Sequence, residues 1–334
     1  MPEVQLDGAR IRVGERFSVS FQRTLRIPED DQIYPLPPGL GVFQIHRVAD
    51  FAESVPAAWR RRGGFFIAMY QREALWLGFD GAEWKPNAVK VAVGGVNAIS
   101  GTVWEEGLDS EVQNYLVCPN QPWLDGINAG EGFIKQFVAA PLGSHATVEA
   151  QVTGREEVGG IQLVVYEPKP GKFPDHAPEM AEPEVAVMEA MSLGDEMGMA
   201  AGGRIKQKIY VDPYGTETWD QQNFARLHVH ILNSEQYRAI TGLEPPLTPV
   251  SAETYAEYGL PWFDLYDESF QGVAASAKLA AVKTLRQKDE ETGKNKARNG
   301  RLIDVKQLPV RKLGEAANRK PHLNVEEKKE NQNE

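Results

Sequence analysis

Between Gly8 and Ile27, in "GARIRVGERFSVSFQRTLRI", apolar side chains fall on alternate positions. Ile11 and Val13 precede a Gly-Glu-Arg turn, and Phe17, Val19 and Phe21 follow it. A period of two marks strands with one buried face. Similar short runs, rich in β-branched and aromatic residues, recur as "GVFQIHRV", "GFFIAMYQREALWLGF", "NAVKVAVGGVNAI", "EGFIKQFVAAPL", "HATVEAQVTG" and "GGIQLVVYEP". After Gly203 the pattern resumes in "RIKQKIYVDPYG" and "TWDQQNFARLHVHILN". Closely spaced strands with no long helix between them predict a mainly β protein. The expected form is an antiparallel β-sandwich or barrel with a few short helices.

The interruptions set the organisation. "IPEDDQIYPLPPGLG" carries four prolines, which fix φ and withhold ladder donors. With Tyr34 and Leu36 inside it, it reads as a loop packed along the body. "GREEVGG" reads as a hairpin tip. A second break, "PKPGKFPDHAPEMAEP", precedes a predicted helix over 184–203, "EVAVMEAMSLGDEMGMAAGG", with Val185, Met188, Met191 and Leu193 near one core-facing side. "AASAKLAAVKTLRQK" predicts a helix over 274–288. The chain therefore divides into a composite β-rich body, 1–272, with an internal break near 168–203. Residues 273–334 form a helix and then a charged tail expected to be disordered.

Composition narrows the class. With 42% apolar and 25% charged residues, this is the make-up of a soluble globular protein. Its longest apolar runs fall short of the roughly 18 residues a membrane span needs, and "MPEVQLDGARIRVG" lacks the features of a signal peptide. The single cysteine, Cys118, leaves no internal disulfide framework. The expectation is a cytoplasmic protein. Residues 283–334 hold 14 Lys/Arg against 9 Asp/Glu, while the first 282 hold 22 against 38. So acidic a body disfavours a nucleic-acid partner. A small molecule, a glycan, a protein or a second copy of the chain stays open as partner.

Candidate chemistry is sparse. In "ARLHVHILNSEQYRAITG", His228 and His230 lie two apart on a strand and so project to one face, a geometry suited to two metal ligands. The spacing H-x-H-x4-E-x6-G resembles the first metal motif of the cupins, β-barrels in which such side chains hold a transition metal. Here Gln222 stands where the cupins carry glycine, and the one later histidine, His322, lies in the charged tail. "NSEQYRAITG" also reads as a short helix capped by Asn233 or Ser234 and closed by Gly242. No cofactor is expected on that reading; a transition metal is the alternative.

Pro-Trp-apolar-Asp occurs twice, in "QPWLDG" (Trp123, Asp125) and "LPWFDLYD" (Trp262, Asp264). Trp219 lies beside Asp220, and Trp84 precedes Lys85-Pro86. Loop tryptophans beside carboxylates and amides suit sugar binding, the indole packing on C–H surfaces while polar groups take hydroxyls. The same residues also serve as turn and edge-plug residues. Asp125 and Asp264 would make a glycosidase pair if the fold held them about 5–10 Å apart. "WRRRGG" reads as a solvated patch, and "DGINAGEGF" lacks the Gly-Lys-Ser/Thr of a phosphate loop.

The phrases "FQRTLRIPEDDQIYPLPPGLG", "MYQREALWLGF", "QPWLDGINAGEG", "KIYVDPYGTETWD" and "GLPWFDLYD" resemble a family of uncharacterised microbial proteins, some labelled integral membrane proteins. The likeness covers roughly residues 20–270 and implies no activity, cofactor or catalytic residue. The expected function is binding or assembly, with the contact surface on the loops of Trp84, Trp123, Trp219 and Trp262. The alternative is a hydrolase using Asp125 and Asp264, or a metal-dependent enzyme using His228 and His230.

Overall fold

A computed structural model describes residues 1–30, 32–177, 196–244, 247, 251–264, 271–293, 303 and 305–312. Nine strands form its frame: β1 (Arg10–Val13), β2 (Phe17–Thr24), β3 (Phe65–Met69), β4 (Ala74–Asp80), β5 (Asn87–Val93), β6 (Phe133–Pro141), β7 (Ile161–Pro168), β8 (Glu196–Lys206) and β9 (Trp219–Asn233). One antiparallel half runs β1-β2-β4-β6-β8. The other runs β9-β7-β5, with β3 parallel on the far side of β9. The fold is mainly antiparallel β, sandwich-like and not closed into a barrel.

The long strand β9 joins the halves. Trp219 and residues 224–229 pair with β7, and Ile231 and Leu232 pair with Met197 and Glu196 of β8. Its inward residues Ala225, Leu227, Val229 and Ile231 enter the main core with Phe17, Val19 and Phe21 of β2, Val89 and Val91 of β5, and Leu163 and Val165 of β7. The alternation seen in the sequence thus becomes the inner face of the sandwich. The outer face of β9 carries Phe224, Arg226, His228, His230 and Leu232 in one row. Two smaller apolar clusters cover that face, one at each end.

Several predicted elements change. "HATVEAQVTG" contains a short helix, Val148–Thr153. The Thr147 hydroxyl caps it by accepting from Ala150 N, and Gly154 closes it in the left-handed region. "GREEVGG" is therefore a helix-to-strand loop, tied down by the Glu149 carboxylate, which accepts from the backbone N–H of Glu157, Val158 and Gly159. From residue 196 the predicted methionine helix is strand β8, with Met197 and Met199 in the core; residues 184–195 lie outside the described residues. Two short helices, Ala277–Ala280 and Leu285–Glu291, replace the single one predicted over 274–288, because Thr284 starts a new capping box. Tyr34 and Leu36 are buried, as their place in the proline-rich loop suggested. Val310–Lys312 pairs in parallel with Trp262–Asp264, while residues 313–334 lie outside the described residues. No helix among the described residues is long and apolar enough to cross a membrane.

Candidate functional site

The tryptophan–aspartate segments fold into structure rather than into a common rim. Trp123 and Trp262 lie on short strands in the main core, and Trp219 opens β9 beneath the outer face; the three are 3%, 0% and 0% exposed. An indole is the largest apolar side chain, and burial of its area decides its place. Trp84 alone keeps a half-buried ring, with the Arg16 guanidinium 5.9 Å above its centroid. The expected loop surface of four indoles is thereby corrected.

Amide side chains zip "QPWLDG" to the segment 207–212. Gln121 donates to Lys208 O at 3.3 Å and accepts from Tyr210 N at 3.0 Å. Gln113 likewise donates to Tyr210 O and accepts from Asp212 N. Gln207 accepts from Asp125 N at 3.0 Å and donates to Asp125 Oδ2 at 3.1 Å. Asp125 is fully buried in this lattice, which leaves its carboxylate no access to a substrate. The side chain of Asp264, the other carboxylate of the expected pair, lies outside the described residues.

Asp212, which sequence reading passed over, is the hub of "KIYVDPYGTETWD". Its Oδ2 accepts from the Tyr115 hydroxyl at 2.6 Å and from Trp219 Nε1 at 2.9 Å, and its Oδ1 accepts from Tyr214 N at 2.7 Å. Burial, reinforced by Asp212, pushes the Tyr115 phenol well above its ordinary pKa. An aspartate held before a proline inside an aromatic run was the legible signal.

His228 and His230 do share a face, with ring centroids 4.2 Å apart. His230 is buried; its Nε2 lies 3.1 Å from Gly63 O, and Trp59 stacks on its ring. Burial is the main cause that lowers both imidazoles, His228 to about 4 and His230 to about 3; the Arg62 charge acts in the same direction on both, as does His228 on His230. A guanidinium beside two imidazoles disfavours a bound cation. Among the described residues no three His, Cys, Asp or Glu side chains come together to hold a metal ion. The predicted cap also shifts. Gln236 occupies the N-cap of the Tyr237–Thr241 helix, while Asn233 Oδ1 accepts from Glu235 N in the preceding turn.

At the opposite end of the outer face, Ala88, Tyr115, Val117, Val164, Tyr166 and Trp219 make a buried floor. Half-buried Trp104, Phe173, Tyr214 and Phe224 pack on it. The register between β7 and β9 slips from Tyr166↔Phe224 to Pro168↔Trp219, so residues 220–223 bulge from the ladder. The bulge carries Asp220, Gln221, Gln222 and Asn223, of which both glutamines are exposed. Gln221 Oε1 accepts from Leu108 N at 3.0 Å, fixing the bulge against the 104–108 strap. Lys90 reaches up from β5 and donates to the strap carbonyls of Glu105 and Gly107 at 2.7 and 2.5 Å, its ammonium 5.7 Å from the Trp104 centroid. Arg226 stacks on Phe224 at 4.6 Å and pairs with Glu106. Compared with protein-family models, curated proteins and solved structures, the chain matches none of them.

Proposed function

We propose that this chain is a non-catalytic carbohydrate-binding protein whose contact surface is the outer face of β5, β7 and β9. The observation that supports this reading is the grouping of half-buried Trp104, Phe173, Tyr214 and Phe224 around the polar bulge 220–223. Aromatic faces pack against sugar C–H surfaces, and Asp220, Gln221, Gln222 and Asn223 exchange hydrogen bonds with hydroxyls. The strap over Lys90 and the Asp212 hub fix the floor before a ligand arrives, which lowers the ordering cost of binding. Of the residues singled out in the sequence, Asp220 lies on this surface and Trp219 in the buried floor beneath it.

The test is an array of neutral and acidic oligosaccharides probed with the wild-type chain and with Trp104→Ala and Phe224→Ala. Retention of a defined glycan, weakened about tenfold or more by either substitution, supports the reading; one lost stacking contact of about 1.5 kcal/mol suffices for that change. Equal retention by wild type and both variants, or none by any, sinks it.

A further inference from the structure

The opposite end of the outer face carries a separate device. Residues 46–62 comprise the two-residue strand His46–Arg47, a 3-10 turn (Val48–Phe51) and helix α1 (Ala57–Arg62). They cover Phe66, Ala68 and Leu232 with Val48, Val55 and Trp59, in a cluster distinct from the main core. β3 does not depend on this cover, because Phe65, Ile67 and Met69 on its other face belong to the main core. Few bonds hold the cover down. His46–Arg47 pairs with Phe65–Phe66, Val48 N donates to Gly64 O, and Arg62 donates to the carbonyls of Glu157 and Val158.

Three histidines lie in this seam. His46 Nε2 lies 2.7 Å from the Tyr237 hydroxyl, and its ring stacks on Phe66 at 4.9 Å. His230 is sandwiched between Trp59 and His228. The buried Nε2 of His228 meets no hydrogen-bond partner among the described residues. The charged groups that face them are Asp50 near His46 and Arg62 near His228 and His230. One carboxylate therefore faces one imidazole, and a guanidinium faces the other two.

We propose that residues 46–62 form an acid-triggered latch that swings off the outer end of β3 and β9 while the rest of the sandwich stays folded. Closed, the seam holds three neutral imidazoles. Opened, the rings regain water: His46 takes up a proton near its ordinary pKa of about 6.5, and so does one ring of the His228–His230 pair, whose 4.2 Å spacing on β9 disfavours a second charge. Burial holds His46 at about 4, with His228 also at about 4 and His230 at about 3. Folded values below the open-state value mean that closure is favoured at neutral pH and loses ground as pH falls from 6.5 toward 4. Each proton taken up contributes up to about tenfold in the opening equilibrium per pH unit, about a hundredfold for His46 and the first proton on the His228–His230 pair together. Opening uncovers Phe66, Ala68 and Leu232.

Hydrogen–deuterium exchange of the full chain, stepped from pH 7.5 to 4.5 and corrected for intrinsic rate, reads the latch directly. Peptides within 46–62 are expected to lose protection steeply below pH 6.5, while those within 87–93 and 161–168 hold theirs. His46→Phe keeps a ring stacked on Phe66 and removes one proton, so its slope falls to about tenfold per unit. Protection of 46–62 that stays flat to pH 4.5, or that vanishes together with 161–168, overturns the proposal in the wild-type chain alone.

Discussion

The indole of Trp59 lies flat on the imidazole of His230, their centroids 4.4 Å apart and their planes 16° from parallel. The contact pins α1 to β9 and explains the double glycine of "WRRRGG". Gly63 and Gly64 take φ of 66° and 85°, and a Cβ on Gly64 would collide with the carbonyl oxygen of His228. Gly64→Ala therefore combines left-handed strain with a backbone clash. It should cost about 1–3 kcal/mol in urea unfolding. A wild-type midpoint in that variant would contradict the close approach of the two segments.

Trp59 itself fills the satellite cluster with Val48, Val55 and Phe66. Trp59→Ala removes that volume where the thin cover cannot fully collapse, at a cost of about 3–5 kcal/mol. Trp59→Phe retains a ring and should lose less than half as much. Equal losses in the two variants would show that the stacked ring contributes nothing.

Asp212 offers a sharper test, because its partners are buried donors. In Asp212→Ala the Tyr115 hydroxyl and the Trp219 N–H lose their acceptor. A buried donor left unpaired costs about 1–3 kcal/mol, so the two together should lower stability by about 2–6 kcal/mol. Trp219→Phe removes one of those donors and so should soften the effect of Asp212→Ala. Strict additivity in that double-mutant cycle would rule the bond out as a stabilising contact.

The strands were legible because alternate residues face one continuous core, so Ile11, Val13, Phe17 and Val19 announce themselves. The helix at 148–153 was hidden by β-branched residues, although Thr147 and Gly154 were its caps in plain view. Met197 and Met199, two apart, suit a strand face, and pairing with β6 and β9 places them on one; the helix pattern rested on Val185, Met188 and Met191, outside the described residues. Trp123, Trp219 and Trp262 looked like contact residues because each neighbours an aspartate. Their burial follows from area, which sequence proximity to a charge does not offset. The outer-face aromatics were out of reach for another reason. Trp104, Phe173, Tyr214 and Phe224 come from four segments that only the register of β5, β7 and β9 brings together.

Lys90 gives a pH signature with a definite sign. Burial lowers its ammonium to about 8 from 10.5, against the opposing pull of Glu105, Asp109 and Glu106. Between those values the unfolded chain holds a proton that the folded chain has released. Stability therefore rises with pH across roughly 8 to 10.5, by at most about 3 kcal/mol. Lys90→Met abolishes this contribution, so the wild-type minus variant difference should climb over that window. A flat difference curve would show that the ammonium keeps its ordinary affinity for the proton beneath the strap.

Glu149 allows a nearly isosteric test. One carboxylate oxygen, Oε1, accepts from Glu157 N and Val158 N, and the other, Oε2, accepts from Gly159 N, at 2.7 to 2.8 Å. Three donors converge on two acceptor atoms, which no amide can reproduce. In Glu149→Gln the NH2 group must face at least one backbone N–H whichever way the amide turns. The loss should be about 1–3 kcal/mol, and exchange should quicken first at residues 155–160, next to β7. An unchanged exchange pattern there would mean that the loop is held by its glycines, with the carboxylate incidental.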